Sequence, residues 1–220
     1  GAMAGKKRSI VREYVEAIVW AVVLVLLLRA FVIQAFRIPS GSMEPTLLIG
    51  DMLFVNRFEY GPKIPFTHAR LPGLRAPRTG DIIVFQFPEN PRQDFIKRCV
   101  ATGGQTVEVR DKVVYVDGVP SAAADAHARH DDPRVLPCSP NAPPFPGDFT
   151  LRQCRDNFGP YRVPPGRLFM MGDNRENSHD SRFWGTVPMD YVKGRAMFIY
   201  WSWDPERFLP RWSRLLRILH

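Results

Sequence analysis

"GDIIVFQFPENPRQDFIKRCVA", residues 80–101, holds two runs rich in β-branched and aromatic residues, 81–87 and 94–101, separated by Pro and Asn. Both runs have the length and boundaries of strands. Strand alternation in 94–101 places Phe95, Lys97, Cys99 and Ala101 on one face and Ile96, Arg98 and Val100 on the other. Similar runs flank this stretch: "DMLFVNRF" (51–58), "QTVEVR" (105–110), "KVVYVDG" (112–118), "GRLFMMGD" (166–173) and "GRAMFIYWSW" (194–203). Their spacing predicts a mainly β protein built of antiparallel sheets. Residues 119–160 have small, polar and Pro residues with little periodicity, and read as a loop-rich insertion between strands of the core. The predicted organisation is 37–118 and 161–220 as one core, with 119–160 inserted.

The N-terminus is of a different kind. Gly1-Ala2-Met3 reads as a cloning remnant, and Lys6, Lys7, Arg8 and Arg12 make 1–13 a basic segment. An apolar run then extends from Ala17 to Leu28 and, past Arg29, to Ile33. Residues 14–36 are therefore predicted to form one transmembrane helix, with Arg29 reaching the far headgroups and the basic flank on the cytoplasmic side. A buried helix of a soluble protein would be amphipathic, and this run is apolar on all faces. A cleavable leader ending at Ile33-Gln34-Ala35 is the other reading, against which the charge of Arg29 counts. The net charge of +8 has no nucleic-acid pattern behind it, neither zinc-finger spacing, helix-turn-helix nor Arg-rich run. Acidic lipid headgroups are the better partner for it.

Of three cysteines, Cys138 and Cys154 lie in a Pro/Gly/Asn-rich stretch, and a disulfide between them would contribute about 3 kcal/mol. Cys99 reads as a small buried hydrophobe. The C-terminal "RFLPRWSRLLRILH" (207–220) fits either a short amphipathic helix on a membrane or a segment docked on the sheets.

Chemistry has few candidate sites. His127 and His130, with Asp131 and Asp132, lack the helical context of a metal site and read as a solvated loop. His68 lies in another Pro/Gly-flanked loop and His220 is the last residue, leaving His179 as the credible histidine base. A lysine is the alternative. Lys97 shares its face with Phe95 and two small uncharged residues, and desolvation there would lower its pKa towards that of a general base. "PSGSMEPTL" (39–47), just after the apolar run, offers serines in a turn-forming context.

"PSGSMEPTL", "GDIIVFQFPE" (80–89), "DFIKR" (94–98) and "GDNRENSHDSRFWG" (172–185), in this order behind an apolar segment, closely resemble the bacterial type I signal peptidases. These are membrane-anchored Ser–Lys proteases that remove signal peptides from exported proteins. The resemblance covers the chain from about Phe31 to His220 and is weakest across 119–160. It implies Ser42 as nucleophile, Lys97 as general base, Ser40 with the Ser42 N–H as oxyanion hole, and Ser178 as the group that orients the lysine. Asp180 and Arg182 match a structural ion pair, with Arg98 and Asp173 close by. Shallow pockets for small residues of an Ala-X-Ala cleavage site would be walled by Phe36, Ile38, Pro39, Met43, Leu47, Leu53, Val84, Asp94, Phe95 and Ile96.

Departures from the family pattern are Glu176 in place of Asp, Gln105 in place of a common Asp, and His179 at a variable position, which therefore receives no role. No metal or other cofactor is implied. The implied partners are secretory preproteins and membrane lipid, for a monomer in the bacterial inner membrane whose catalytic domain faces outward. Ser42 follows Phe36 closely enough, within about 20 Å of extended chain, to meet a scissile bond at the membrane surface. Two rivals differ in class. A soluble Ser–Lys self-cleaving regulator would carry a DNA-binding or partner domain where this chain has an apolar run, and a tethered β-domain without activity would use its serines only as a turn.

Overall fold

The computed structural model describes residues 10–31, 33–62, 67 and 70–219, and of 26–31 and 33 only the backbone. The expectations for Lys6, Lys7, Arg8, the Arg29 side chain, His68 and His220 lie outside the described residues.

The chain opens with α1 (Ile10–Phe31), which contains neither Gly nor Pro. Its described apolar side chains, from Ile10 to Val25, are all exposed. Among the described residues, no helix is long and apolar enough to cross a membrane. The helix ends short of the expected residue 36, because β1 (Ile33–Arg37) pairs antiparallel with β2 (Asp51–Asn56), Phe36 opposite Leu53. That pairing gives the backbone of 33–37 cross-strand partners in place of helical ones.

The expected strands follow as β3 (Ile82–Phe87), β4 (Asn90–Thr102), β5 (Thr106–Arg110) and β6 (Val113–Val116), and then β7 (Val119–Pro120), inside the stretch expected to be loop-rich. A short helix α2 (Ala122–Asp125) starts on Ser121, whose side chain accepts from Ala124 N. Next come β8 (Pro144–Phe145), β9 (Asp148–Arg152), β10 (Phe158–Arg162), β11 (Arg167–Met171), α3 (Ser181–Trp184), β12 (Val187–Pro188), β13 (Val192–Asp204), β14 (Leu209–Pro210) and β15 (Arg217–Ile218).

One nine-stranded sheet has the order β1-β2-β13-β3-β4-β11-β12, with β14 and β15 on β13. β3 is central and buried on both faces: Ile82 and Val84 join a cluster with Met43, Leu47 and Leu53, whereas Ile83 and Phe85 join one with Cys99, Met170 and Trp184. β4 lies between β3 and β11, with Lys97 opposite Ile83 and Arg98 opposite Met171. Neighbouring strands thus carry Lys97 into the interior.

A second sheet, β10-β5-β6-β7, packs Val107, Val109, Val114, Phe158 and Tyr161, with Phe145, into a cluster shared with Val100 and Ala101 of β4 and Phe169 and Met171 of β11. The expected boundary at 118/119 falls inside the β6–β7 pair, where Val116 faces Val119, and the one at 160/161 falls inside β10. The folded insertion therefore runs from β5 to β10. Alternation in 105–118 reveals strands but not which sheet they join. Cys138 and Cys154 form a disulfide with Cα atoms 5.3 Å apart, and Cys99 is free and buried.

At the C-terminus the docked alternative is the one observed. β14 and β15 pair with β13, and only the three residues Trp212–Arg214 make a helical turn. Buried Arg214 binds Asp51 at 2.6 Å and donates to the Thr46 carbonyl at 2.8 Å, which ties this segment to the serine-containing loop.

Candidate active site

Ser42 sits in a 3-10 turn, Gly41–Met43, entered from an extended Ser40. Met43 and Leu47 are fully buried below it, and Leu47 N bonds Met43 O at 2.9 Å, so apolar packing holds the turn from beneath. Lys97, only 4% exposed, reaches it from β4 and places Nζ 2.5 Å from Ser42 Oγ. The Phe95 ring stands beside the amine at 5.6 Å, as strand alternation predicted.

Burial lowers the Lys97 pKa to about 8, against the opposing charges of Asp180 and Asp173 and with help from Arg182. A lysine with that pKa keeps a useful minority of free amine near physiological pH, far more than an ordinary lysine, and a neutral amine can take a proton from the hydroxyl it touches.

Two buried ion pairs frame this contact. Arg98 grips Asp173 with Nε at 2.7 Å and Nη2 at 2.8 Å, and Thr46 Oγ1 donates to the same carboxylate at 2.5 Å. Arg182 grips Asp180 at 2.9 and 2.8 Å and also donates to the carbonyls of Arg155 and Arg175. Burial alone would raise the Asp180 pKa, but the charge and hydrogen bonds of Arg182, together with Lys97, hold it below the ordinary range. Fork geometry and the extra hydrogen bonds are what make such buried charges tolerable.

Ser178 is buried in the cleft lining beside Lys97; its Oγ makes no well-formed hydrogen bond among the described residues, though it lies near enough to Asp180 to help hold that carboxyl's pKa down. The expected bond to the lysine amine is thus not present. Gly172 packs so closely on Ser178 Oγ and on the Ser42 carbonyl that an added methyl would overlap both.

A cleft of about 600 Å³ opens over Ser42 and Lys97. Of the expected walls, Pro39, Asp94, Phe95 and Ile96 line it. Ile38, Met43, Leu47, Leu53 and Val84 do not: they are at most 2% exposed and form the core beneath, with Phe36 packed against them. Their apolar character fits a pocket wall and a core alike. Ser40, Asn177, His179 and Phe183 complete the lining, with the His179 ring stacked on Phe183 at 5.7 Å.

Several contacts here have no motif of their own. Asn174 donates to Ser42 O and Gly41 O, Arg175 binds Asp125 of α2 at 2.7 Å, and Arg129 binds Glu44 at 3.1 Å. Glu176 accepts from Lys112 at 2.8 Å and contacts His130 at 3.0 Å, and Asp131 and Asp132 pair with Arg129 and Arg134. Those partners account for the polar loop that could have suggested a metal site. The one available signal was the density of polar residues in 172–185 directly after the apolar "LFMM".

Comparison with known proteins gives the family of the chain. Residues 11–201 match the family described as "Signal peptidase, peptidase S26". Signal peptidase I of Pseudomonas aeruginosa is 34% identical, over 95% of this chain and 80% of that protein. Signal peptidase I of Aquifex aeolicus is 35% identical, over 87% and 84% respectively, and that of Pseudomonas fluorescens 33%, over 95% and 80%. A serine and a buried amine in contact, on a chain related to these proteins along nearly its whole length, place the protein in one group: it belongs to the signal peptidase family, peptidase S26.

Proposed function

We propose that the protein is a membrane-bound serine endopeptidase that removes N-terminal signal peptides from exported preproteins through a Ser42–Lys97 dyad. The observation that carries this reading is the 2.5 Å contact between Lys97 Nζ and Ser42 Oγ, made where burial lowers the lysine pKa to about 8.

Neutral Lys97 takes the Oγ proton as Oγ bonds to the scissile carbonyl carbon. Ser42 N–H and the Ser40 hydroxyl face the oxyanion that forms. Collapse breaks the C–N bond, and the leaving amine, the new N-terminus of the mature protein, takes the proton from Lys97. A water then gives a proton to Lys97 and its oxygen to the acyl carbon, and Ser42 recovers its proton as the signal peptide leaves. The Ser178 hydroxyl, beside Asp180, is available to steady the amine, and the Asp180–Arg182 and Asp173–Arg98 pairs fix the walls around it.

Pro39, Phe95 and Ile96 at the cleft, closed beneath by a packed core, favour small side chains such as those of an Ala-X-Ala site. The helix α1, with its apolar side chains exposed, supports membrane attachment, and the basic flank in the sequence supports a cytoplasmic N-terminus with catalysis on the outer side of the bacterial inner membrane. Exposed Phe208, Leu209, Trp212, Leu216 and Ile218 add a second apolar surface for lipid. A monomer suffices, because every residue of this mechanism comes from one chain.

Cleavage of a preprotein by detergent-solubilised protein tests the assignment. Ser42→Ala and Lys97→Ala are each expected to lower the rate by about 10³-fold or more. Full cleavage by either variant would show the dyad to be wrong.

A further inference from the structure

Ser42 can supply an oxyanion donor only if its backbone N–H points into the cleft, and the turn that carries it is three residues long. Asn174, 3% exposed, is bonded to this turn twice. Its backbone N–H donates to Ser42 O at 3.1 Å, and its Nδ2 donates to Gly41 O at 3.2 Å.

The second bond acts on the donor, adding to the turn's own bond from Glu44 N–H to Gly41 O at 3.1 Å. The Gly41–Ser42 peptide is trans, so the Gly41 carbonyl and the Ser42 N–H point in opposite directions within one plane. Holding that carbonyl on the Asn174 side turns the Ser42 N–H to the other side, away from the buried β11–α3 segment. The first bond fixes the next peptide plane as well, so the serine is held on both sides.

Asn174 is itself firmly placed. Asp173 before it is locked by Arg98, Arg175 after it by Asp125, and Asn177 N bonds its carbonyl at 3.1 Å. Its Oδ1 is buried and has no partner among the described residues, which is unfavourable. A reversed amide would face oxygen against the Gly41 oxygen, so the orientation seen is the favourable one. The side chain is therefore useful for its nitrogen.

We propose that Asn174 is a positioning residue that aims the Ser42 N–H at the oxyanion. This rests on the Ser42–Lys97 reading of the site, and its test separates the two. Asn174→Ala removes the Nδ2 donor, and Asn174→Asp replaces it with an acceptor of the same shape. Both are assayed on a preprotein for kcat and KM, and for affinity towards two peptides ending in the signal-peptide sequence. One carries a C-terminal aldehyde, to which the Ser42 hydroxyl adds to give a hemiacetal whose oxygen occupies the oxyanion position. The other carries an amide and forms no such bond.

The expected result is a fall in kcat of about ten-fold or more with KM nearly unchanged, since a whole oxyanion donor is worth about 10²–10³-fold. Affinity for the aldehyde should fall by a similar factor while affinity for the amide stays, and the pH midpoint set by Lys97 should not move. Unchanged kcat and aldehyde affinity would overturn the proposal, as would equal losses for aldehyde and amide, which is how a damaged fold would behave. If Ser42→Ala stays active, the dyad fails; if it is inactive and the Asn174 variants are normal, only the positioning role fails.

Discussion

The chemistry of single residues here depends on where charge is removed from water. Lys97 loses hydration on β4 and its pKa falls to about 8, which leaves the free amine present above that pH and progressively protonated below it. The value of kcat/KM should therefore rise about ten-fold per pH unit below about pH 8 and level off above it, measurable with a preprotein between about pH 6 and 10. A flat profile would contradict the role of Lys97. The charge of Asp180 acts to raise the lysine pKa, so Asp180→Asn should move the midpoint to lower pH. Gly172→Ala tests packing instead of charge. Its methyl would collide with the Ser178 hydroxyl and the Ser42 carbonyl, and activity should fall sharply even where circular dichroism shows the sheets intact.

Between elements, the insertion acts as a strap on the segment 172–176. Arg175, 2% exposed, binds Asp125 and the Ala124 carbonyl of α2, and Arg129 makes a one-residue parallel bridge with Asn174. Arg175→Ala leaves the buried Ala124 carbonyl without its donor and the partly exposed Asp125 without its partner, and should cost about 1–3 kcal/mol, seen as a lower urea midpoint. The Cys138–Cys154 bridge closes the same insertion. Replacing both cysteines by Ser should cost about 2–5 kcal/mol, and mass spectrometry of the denatured, unreduced parent should find one free thiol, Cys99. Strand periodicity made β2, β3, β4, β11 and β13 legible. The extent of the insertion was not, because alternation reports a buried face without naming its partner, and 105–110 alternates the same way whichever sheet it joins. Apolar character likewise does not separate a pocket wall from the core behind it, and Met43, Leu47, Leu53 and Val84, expected in the wall, belong to the core beneath the cleft.

For the molecule as a whole, the proposed anchor and the site are adjoining parts of one arrangement. α1 leads directly into β1, β1 pairs with β2, and Arg214 links Asp51 at the start of β2 to the Thr46 carbonyl beyond the serine turn. Deleting residues before Ile33 should leave cleavage of a short soluble peptide within a few-fold of the parent and greatly slow that of a membrane-inserted preprotein. Equal slowing of both would mean that α1 supports the fold and not the approach to substrate. By itself, the sequence determined the main strands of the core, an apolar helical segment and the cysteine pair, and singled out Ser42, Lys97 and the two ion pairs as candidates, because periodicity, composition and family motifs are local properties of the chain. Only the tertiary structure decided that the helix ends at Phe31, that the C-terminus docks on β13, and that Asn174 holds the serine turn. Those outcomes depend on which buried backbone groups find partners far along the chain, and such pairing is settled when the sheets assemble.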